Sequence, residues 1–241
     1  SYESQADLIK CHFRNDSGEE AEVEGTVLIG ADGLHSAVRS QMHPGEGPPV
    51  WGGPVMWRGT TEAAPIRTGA SFVLVGKLEQ RFVCYPISNP DPATGLATIN
   101  WIAELTYDNS QEWGDGDWNT KVSIDKFLNE FQDWSFDWLD VPDLIKGASD
   151  VYEYPMVDRD PLDHWVDGRC VLIGDAAHVM YPVGSNGASQ AIVDTRVLGA
   201  AFLEHGVGPE ALNAYESRML QDMNQLILRN RGAGPIGILG I

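Results

Sequence analysis

Two strand–turn–helix units, one near each end of the chain, and a run of alternating strands between them predict an α/β chain with an α+β mixture. The first unit is residues 26–39, TVLIGADGLHSAVR, where an apolar run ends in an acidic residue and a glycine before a helical start. The second is residues 168–203, which repeats that order over a longer helix. Between them, residues 50–110 carry four strand-like runs at short spacing, the pattern of an antiparallel sheet. Residues 1–45 and 156–241 are therefore expected to form two parts of one layered domain, and residues 46–155 a second domain built on the antiparallel sheet.

In chain order, residues 6–15 alternate, with Leu8, Lys10 and His12 on one face and Ile9, Cys11 and Phe13 on the other. That is a strand with one apolar face. Asn15-Asp16-Ser17-Gly18 is a turn, and residues 21–24 can pair back across it. Val27-Leu28-Ile29 reads as a buried strand that delivers Asp32-Gly33 to its carboxyl end, with a helix starting at Ser36. Strands follow at 55–61, 71–75, 81–86 and 96–105, and Asn89-Pro90-Asp91-Pro92 marks a turn between the last two. Residues 108–120 are acidic, contain Gly and Trp, and read as an exposed loop. Residues 123–134 fit one helix with Ser123 as N-cap and Ile124, Phe127, Leu128 and Phe131 on one face. A short helix is expected within 137–146 and a return strand at 152–156. At the far end, Pro209 suits the first position of a helix. Its buried stripe is Leu212, Tyr215, Met219, Met223 and Leu226, and residues 231–237 read as a flexible end.

The stretch with the most chemistry is GRCVLIGDAAHVMYPVGSNGASQAIVDTRVLGAAFL. Cys170 to Ile173 form a buried strand that stops at Gly174-Asp175. A loop with Pro182, Gly184 and Gly187 leads into a helix whose core face is expected at Ile192, Thr195, Leu198, Ala201 and Phe202, with Ser185 or Asn186 as N-cap. In open α/β sheets ligands sit beyond the carboxyl ends of the strands. A carboxylate there accepts hydrogen bonds from sugar-like hydroxyls. Free N–H groups at Gly187, Ala188 and Ser189 favour an electronegative ligand group, and the small residues at 184, 187 and 188 admit a flat ring.

GDAAH, followed by a proline and a Gly-rich helix start, resembles the second FAD motif of the aromatic-ring flavoprotein monooxygenases, the para-hydroxybenzoate hydroxylase-like family. Residues 26–39 resemble that family's DG motif, and MYPVGSNGASQAI resembles its phenazine- and salicylate-hydroxylase branch. The resemblance implies a Rossmann-like FAD-binding domain with Asp175 on a ribityl hydroxyl and Gly187 and Ala188 facing the pyrimidine end of the flavin. Gly174, Pro182 and Gly184 shape that loop. Asp32 and Gly33 orient a turn near the pyrophosphate, where Arg39 supplies positive charge. The inserted antiparallel sheet becomes the substrate domain, with Trp57, Arg58 and Tyr85 lining or supporting an aromatic pocket. The implied reaction is NAD(P)H- and O2-dependent hydroxylation of a small aromatic substrate through a flavin hydroperoxide. His178 and His35 are read as structural, and no general base is named. The family pattern after the proline is Gly-Gly-Gln-Gly, and Gly184-Ser185-Asn186-Gly187 keeps only the outer glycines.

The family's opening βαβ unit, with G-x-G-x-x-G between its strand and helix, does not open these 241 residues. The resemblance therefore covers the central and C-terminal portion of a member, with the adenine-binding unit expected before Ser1. A non-catalytic remnant and another flavoprotein oxidoreductase are the nearest rivals. A serine hydrolase centred on Ser189 is a third, because Gly187-Ala188-Ser189-Gln190-Ala191 nearly matches G-x-S-x-G, but that elbow should follow a strand directly. A net charge of −19 argues against nucleic acid and anionic membranes as partners. No apolar run approaches the roughly 18 residues of a membrane span, and no signal peptide opens the chain. Three widely separated cysteines fit buried reduced thiols in a cytoplasmic protein, and scattered histidines give no metal-ligand spacing.

Overall fold

The computed structural model describes residues 1–107 and 120–231. Most of the acidic stretch at 108–120, and all but the first residue of the end at 231–237, lie outside them. The elements in order are β1 (Tyr2–Ser4), β2 (Ile9–Arg14), β3 (Glu20–Gly25), β4 (Leu28–Gly30), α1 (Ala37–Met42), β5 (Val50–Ala63), β6 (Val73–Gly76), β7 (Gln80–Pro86) and β8 (Ala97–Thr106). Then come β9 (Thr120–Lys121), a 3-10 turn (Ile124–Lys126), α2 (Leu128–Phe131), β10 (Ser135–Phe136), β11 (Leu139–Asp140), α3 (Val141–Lys146) and β12 (Val151–Asp158). The last are β13 (Val166–Asp167), β14 (Cys170–Leu172), α4 (Asp175–His178), a 3-10 turn (Pro182–Gly184), α5 (Gly187–His205) and α6 (Pro209–Arg231). Two compact units result, one from Ser1–Val50 with the described residues from Val157 onward, the other from Trp51–Met156.

In the first unit, β1, β2 and β3 form an antiparallel meander. β1 was not expected, since three residues carry too little pattern to show period two. Ile9 and Cys11 are buried, but Phe13 is exposed because β2 runs on past the core. A second sheet has the order β13-β14-β4, with β14 parallel to β4. Gly30 stands where β4, β14 and α1 come together. A Cβ there would lie 2.9 Å from both Leu172 Cδ2 and Val38 Cγ1. Helices α5 and α6 bury Leu198, Ala201, Leu212, Tyr215, Met219, Met223 and Leu226 against Val171, Leu172 and Trp165.

The expected core face of α5 is wrong in its first half. Ile192 is 70% exposed, Thr195 is exposed, and the buried residues are Asp194, Leu198 and Ala201. The two stripes are offset by one residue, and a polar Asp194 on the inner one hid it from an apolar count.

The second unit is a six-stranded sheet in the order β6-β7-β8-β5-β12-β9. β6 with β7, β7 with β8, β8 with β5, and β12 with β9 run antiparallel. One face packs Val55, Trp57, Phe82, Cys84, Ile99, Trp101 and Ala103 against Phe127, Phe131, Val141 and Ile145. The helix expected across 123–134 is instead a 3-10 turn capped by Ser123 and a single α-turn, with Phe127 at φ −138° between them. Turning there buries both Phe127 and Phe131, whose rings meet edge to face at 6.4 Å.

Candidate cofactor site

The two acidic turns leave the same end of neighbouring parallel strands. β4 and β14 pair in register from Leu28↔Cys170 to Gly30↔Leu172, and the Ile173 N–H extends the ladder to the Gly30 carbonyl at 3.0 Å. Parallel strands share one carboxyl end, so residues 32–33 and 174–175 emerge on one edge, where open α/β sheets take their ligands.

The first turn is held from within. Asp32 accepts from Ser36 Oγ at 2.5 Å and from the Ala37 and Val38 amides at 2.8 and 3.2 Å. Ser36 Oγ in turn accepts from the Arg39 amide at 2.8 Å. Carboxylate and hydroxyl together satisfy the start of α1. Gly33 sits at φ +77° in this turn.

Arg39 departs from the expected phosphate-facing role. It is 2% exposed. Its Nε donates to Glu46 at 2.7 Å and its Nη2 to Glu46 at 2.5 Å and the Asp160 carbonyl at 3.1 Å. Its Nη1 donates to the Ala176 and Ala177 carbonyls at 3.0 and 2.9 Å. All five donors of the guanidinium are used inside the chain, leaving none for a phosphate. Arg39 instead clasps the DG segment to α4 by capping its carbonyls, which carry the negative end of a helical turn.

The second turn is built differently. Gly174 adopts φ +58°, ψ −143°, a conformation that side-chain-bearing residues rarely take. Its carbonyl accepts from the Ala177 and His178 amides, and its own N–H donates to Asp194 Oδ2 at 2.8 Å. Asp175, next in sequence, is exposed, and its carboxylate has no hydrogen-bond partner among the described residues. Beyond it, the exposed Pro182 opens a 3-10 turn, Ser185 takes φ +51°, and Asn186 stands at the N-cap of α5 without a side-chain capping bond. The first amide to find a helical acceptor is that of Gln190, on the Asn186 carbonyl at 2.9 Å. Among the described residues, the N–H groups of Gly187, Ala188 and Ser189 have no acceptor, as the opening donors of a nineteen-residue helix.

A Cβ built on Gly187 would sit 3.8 Å from Asp175 Oδ1. The acidic side chain and the helix start are therefore neighbours. Gly184 is small for another reason: a Cβ there would collide with Asn186 and lie 3.1 Å from Asn230 Oδ1. Asn230, on α6, also donates to the Tyr181 carbonyl at 3.3 Å.

The residues fit FAD. An unpartnered carboxylate accepts hydroxyl hydrogens, and three helix-start donors beside it suit the carbonyl-bearing edge of a flavin.

Sequence reasoning missed Asp194. The signal was present, since 194, 198 and 201 share one helical face, but it required treating a charged residue as a core residue. Ser189 starts a helix after a 3-10 turn, which is not the strand-to-helix elbow of a serine hydrolase. Burial pushes the thiols of Cys84 and Cys170 up to about 12, which favours the protonated form of both at neutral pH. Among the described residues no group of His, Cys, Asp or Glu is arranged to hold a metal ion. None of the helices described is long and apolar enough to cross a membrane.

In the second unit the three expected pocket residues separate. Trp57 is fully buried in the core, stacked on Phe127 at 4.6 Å and donating from Nε1 to Glu153 at 2.8 Å. The pleat accounts for this: residue 57 faces the helices, so residue 58 faces the other way. Arg58 is on that other face, exposed, with its Nε on Asn100 Oδ1 at 2.9 Å. Asn100 pairs in register with Tyr85, so these side chains share a face, and Tyr85 stacks on Phe72 at 5.4 Å.

These features define a flavoprotein-type dinucleotide fold, and the family follows: the chain belongs to the FAD binding domain family, whose model matches residues 1–230. It is similar to phenazine 1,6-dicarboxylic acid hydroxylase PhzS of Lysobacter antibioticus, at 40% identity over 90% of this chain and 54% of that protein. It is also similar to salicylate hydroxylase of Pseudomonas putida, at 30% identity over 89% of this chain and 51% of that one. The chain spans about half the length of these relatives. Among solved structures, HpxO of Klebsiella pneumoniae complexed with FAD and uric acid matches 98% of this chain and 57% of its own, with a TM-score of 0.78. At 23% identity that likeness concerns the fold.

Proposed function

We propose that the protein is an FAD-dependent monooxygenase that hydroxylates a small aromatic substrate with NAD(P)H and O2. The observation that carries this reading is the unpartnered Asp175 carboxylate beside the three free N–H groups that open α5. FAD, when bound, supplies the redox chemistry between NAD(P)H and O2. The chain's own residues bind and orient. Asp175 accepts from a ribityl hydroxyl, and the amides of Gly187, Ala188 and Ser189 favour negative charge at the flavin's pyrimidine end. Gly174, Pro182 and Gly184 set the path between them. Asp32 and Gly33 set the neighbouring turn. Arg39 holds it in place.

The first compact unit is the cofactor domain in this reading and the second the substrate domain. Arg58 and Tyr85 present a cation and an aromatic surface on the sheet face opposite the helices. The names of the similar hydroxylases support aromatic acids as the first compounds to test, phenazine-1,6-dicarboxylate and salicylate among them. Three buried free cysteines support a cytoplasmic location.

Incubation with FAD, desalting and a visible spectrum test the cofactor assignment, and NADH or NADPH oxidation with each acid tests the reaction. Retained flavin and substrate-dependent NAD(P)H consumption with hydroxylated product are expected. Flavin retention without turnover of any aromatic would favour a non-catalytic remnant.

A further inference from the structure

Directly beneath the Gly174–Asp175 turn lies an ion-pair-like contact that the cofactor site does not itself use. His178 and Asp194 are both fully buried. His178 Nε2 lies 2.7 Å from Asp194 Oδ2, and the same oxygen accepts the Gly174 N–H at 2.8 Å. An ionised carboxylate only accepts, so Nε2 is the donor to Asp194 in this contact. Trp165 covers the imidazole at 5.4 Å between ring centroids, and Tyr215 packs on Trp165 at 5.8 Å. Among the described residues, His178 Nδ1 is buried without a hydrogen-bond partner, and the Tyr215 hydroxyl also faces the Asp194 carboxylate.

Burying a carboxylate under a glycine turn is unfavourable unless its geometry does something an apolar residue would not. Here it joins three pieces. Gly174 immediately precedes Asp175, His178 ends α4, and Asp194 lies two turns inside the helix whose first N–H groups flank Asp175. One oxygen thereby ties the backbone of the acidic turn to the body of α5.

We propose that Asp194 and His178 are a positioning pair that holds the Gly174–Asp175 turn against α5, so that the Asp175 carboxylate and the amides of residues 187–189 face one ligand. The inference rests on the cofactor reading above, and neither residue touches the ligand. The geometry makes Asp194 the hinge pin of the site: without it the positive-φ turn loses its only tertiary hydrogen bond from Gly174, and His178 loses its acceptor.

The test measures FAD affinity by flavin fluorescence and amide exchange of residues 174–178 in the FAD-free protein. The variants are Asp194→Ala, Asp194→Asn and His178→Gln, with Leu212→Ala as a core control of reduced stability. Asp194→Ala should weaken FAD binding at least about tenfold, the scale of one lost hydrogen bond to a charged group, and should speed Gly174 exchange. Asp194→Asn keeps one acceptor and should fall between Asp194→Ala and the wild type, which keeps the test open if the alanine variant does not fold. His178→Gln places an amide nitrogen near the Nε2 position and should restore most of the affinity. Leu212→Ala trims the shared core but removes none of the turn's hydrogen bonds, and should change FAD affinity by no more than about twofold while folded. Equal affinity losses in Asp194→Ala and Leu212→Ala would overturn the proposal. So would unchanged Gly174 exchange in the Asp194 variants, whether or not FAD binds. A wild-type protein that binds no FAD bears on the cofactor reading instead, and the exchange measurement alone then decides whether the pair holds the turn.

Discussion

Arg39 and Asp175 are both charged residues of motif segments, and their surroundings assign them opposite work. Arg39 spends five donors on Glu46 and three backbone carbonyls. Glu46 is also reached by Arg159 Nη1 at 3.3 Å, so the cluster is a buried network with Arg39 as its centre. A lysine keeps the charge but cannot reproduce a fork that serves four groups. Arg39→Lys should therefore destabilise the fold by about 3 kcal/mol, read as a lower urea midpoint with the m-value unchanged. A loss of FAD affinity at unchanged stability would contradict this assignment. Asp175 bonds to nothing among the described residues, so its removal should cost the fold little.

At the scale of elements, legibility followed the physics of periodicity. The strands around 55–61, 81–86 and 96–105 were readable because one face of each is packed with apolar side chains such as Trp57, Phe82 and Trp101, even though the last two also bury Arg81, Asn100 and Glu104 on the other face. The same pleat decides which neighbours can meet a substrate. Trp57→Ala should cost about 3–5 kcal/mol, because it empties a fully buried site stacked on Phe127 and orphans Glu153 from its indole donor. Arg58→Ala, on the opposite face, should move the denaturation midpoint far less, and the comparison of the two midpoints checks the facing. Helical segments were harder to read. Residues 123–134 have a helical apolar spacing, but placing both Phe127 and Phe131 in the core requires a bend that no propensity announces. In α5, Ile192 and Leu203 point outward, at 70% and 91% exposure, while Asp194 points inward. Polar core positions of this kind are set by tertiary hydrogen bonds, and a single sequence does not display those. The acidic turns were legible because strand, Asp-Gly or Gly-Asp, and helix start lie consecutively in the chain. The role of Arg39 was not, since three of its acceptors lie 121, 137 and 138 residues away.

The whole molecule divides its labour between two units. The first gathers both acidic turns and the start of α5 at one end of a parallel strand pair. The second presents a sheet with one face packed by helices and the other carrying Arg58, Asn100 and Tyr85. A net charge of −19 spread over such a chain concerns solubility and repulsion from polyanions more than chemistry. The central claim is that Asp175 and the opening of α5 bind flavin. It is tested most directly by equilibrium titration of FAD into the wild type and Asp175→Ala, with thermal denaturation of each measured alongside. The account predicts saturable binding by the wild type, weakened at least about tenfold by the substitution, at nearly equal denaturation temperatures. Equal, saturable FAD affinity in the two proteins would contradict it.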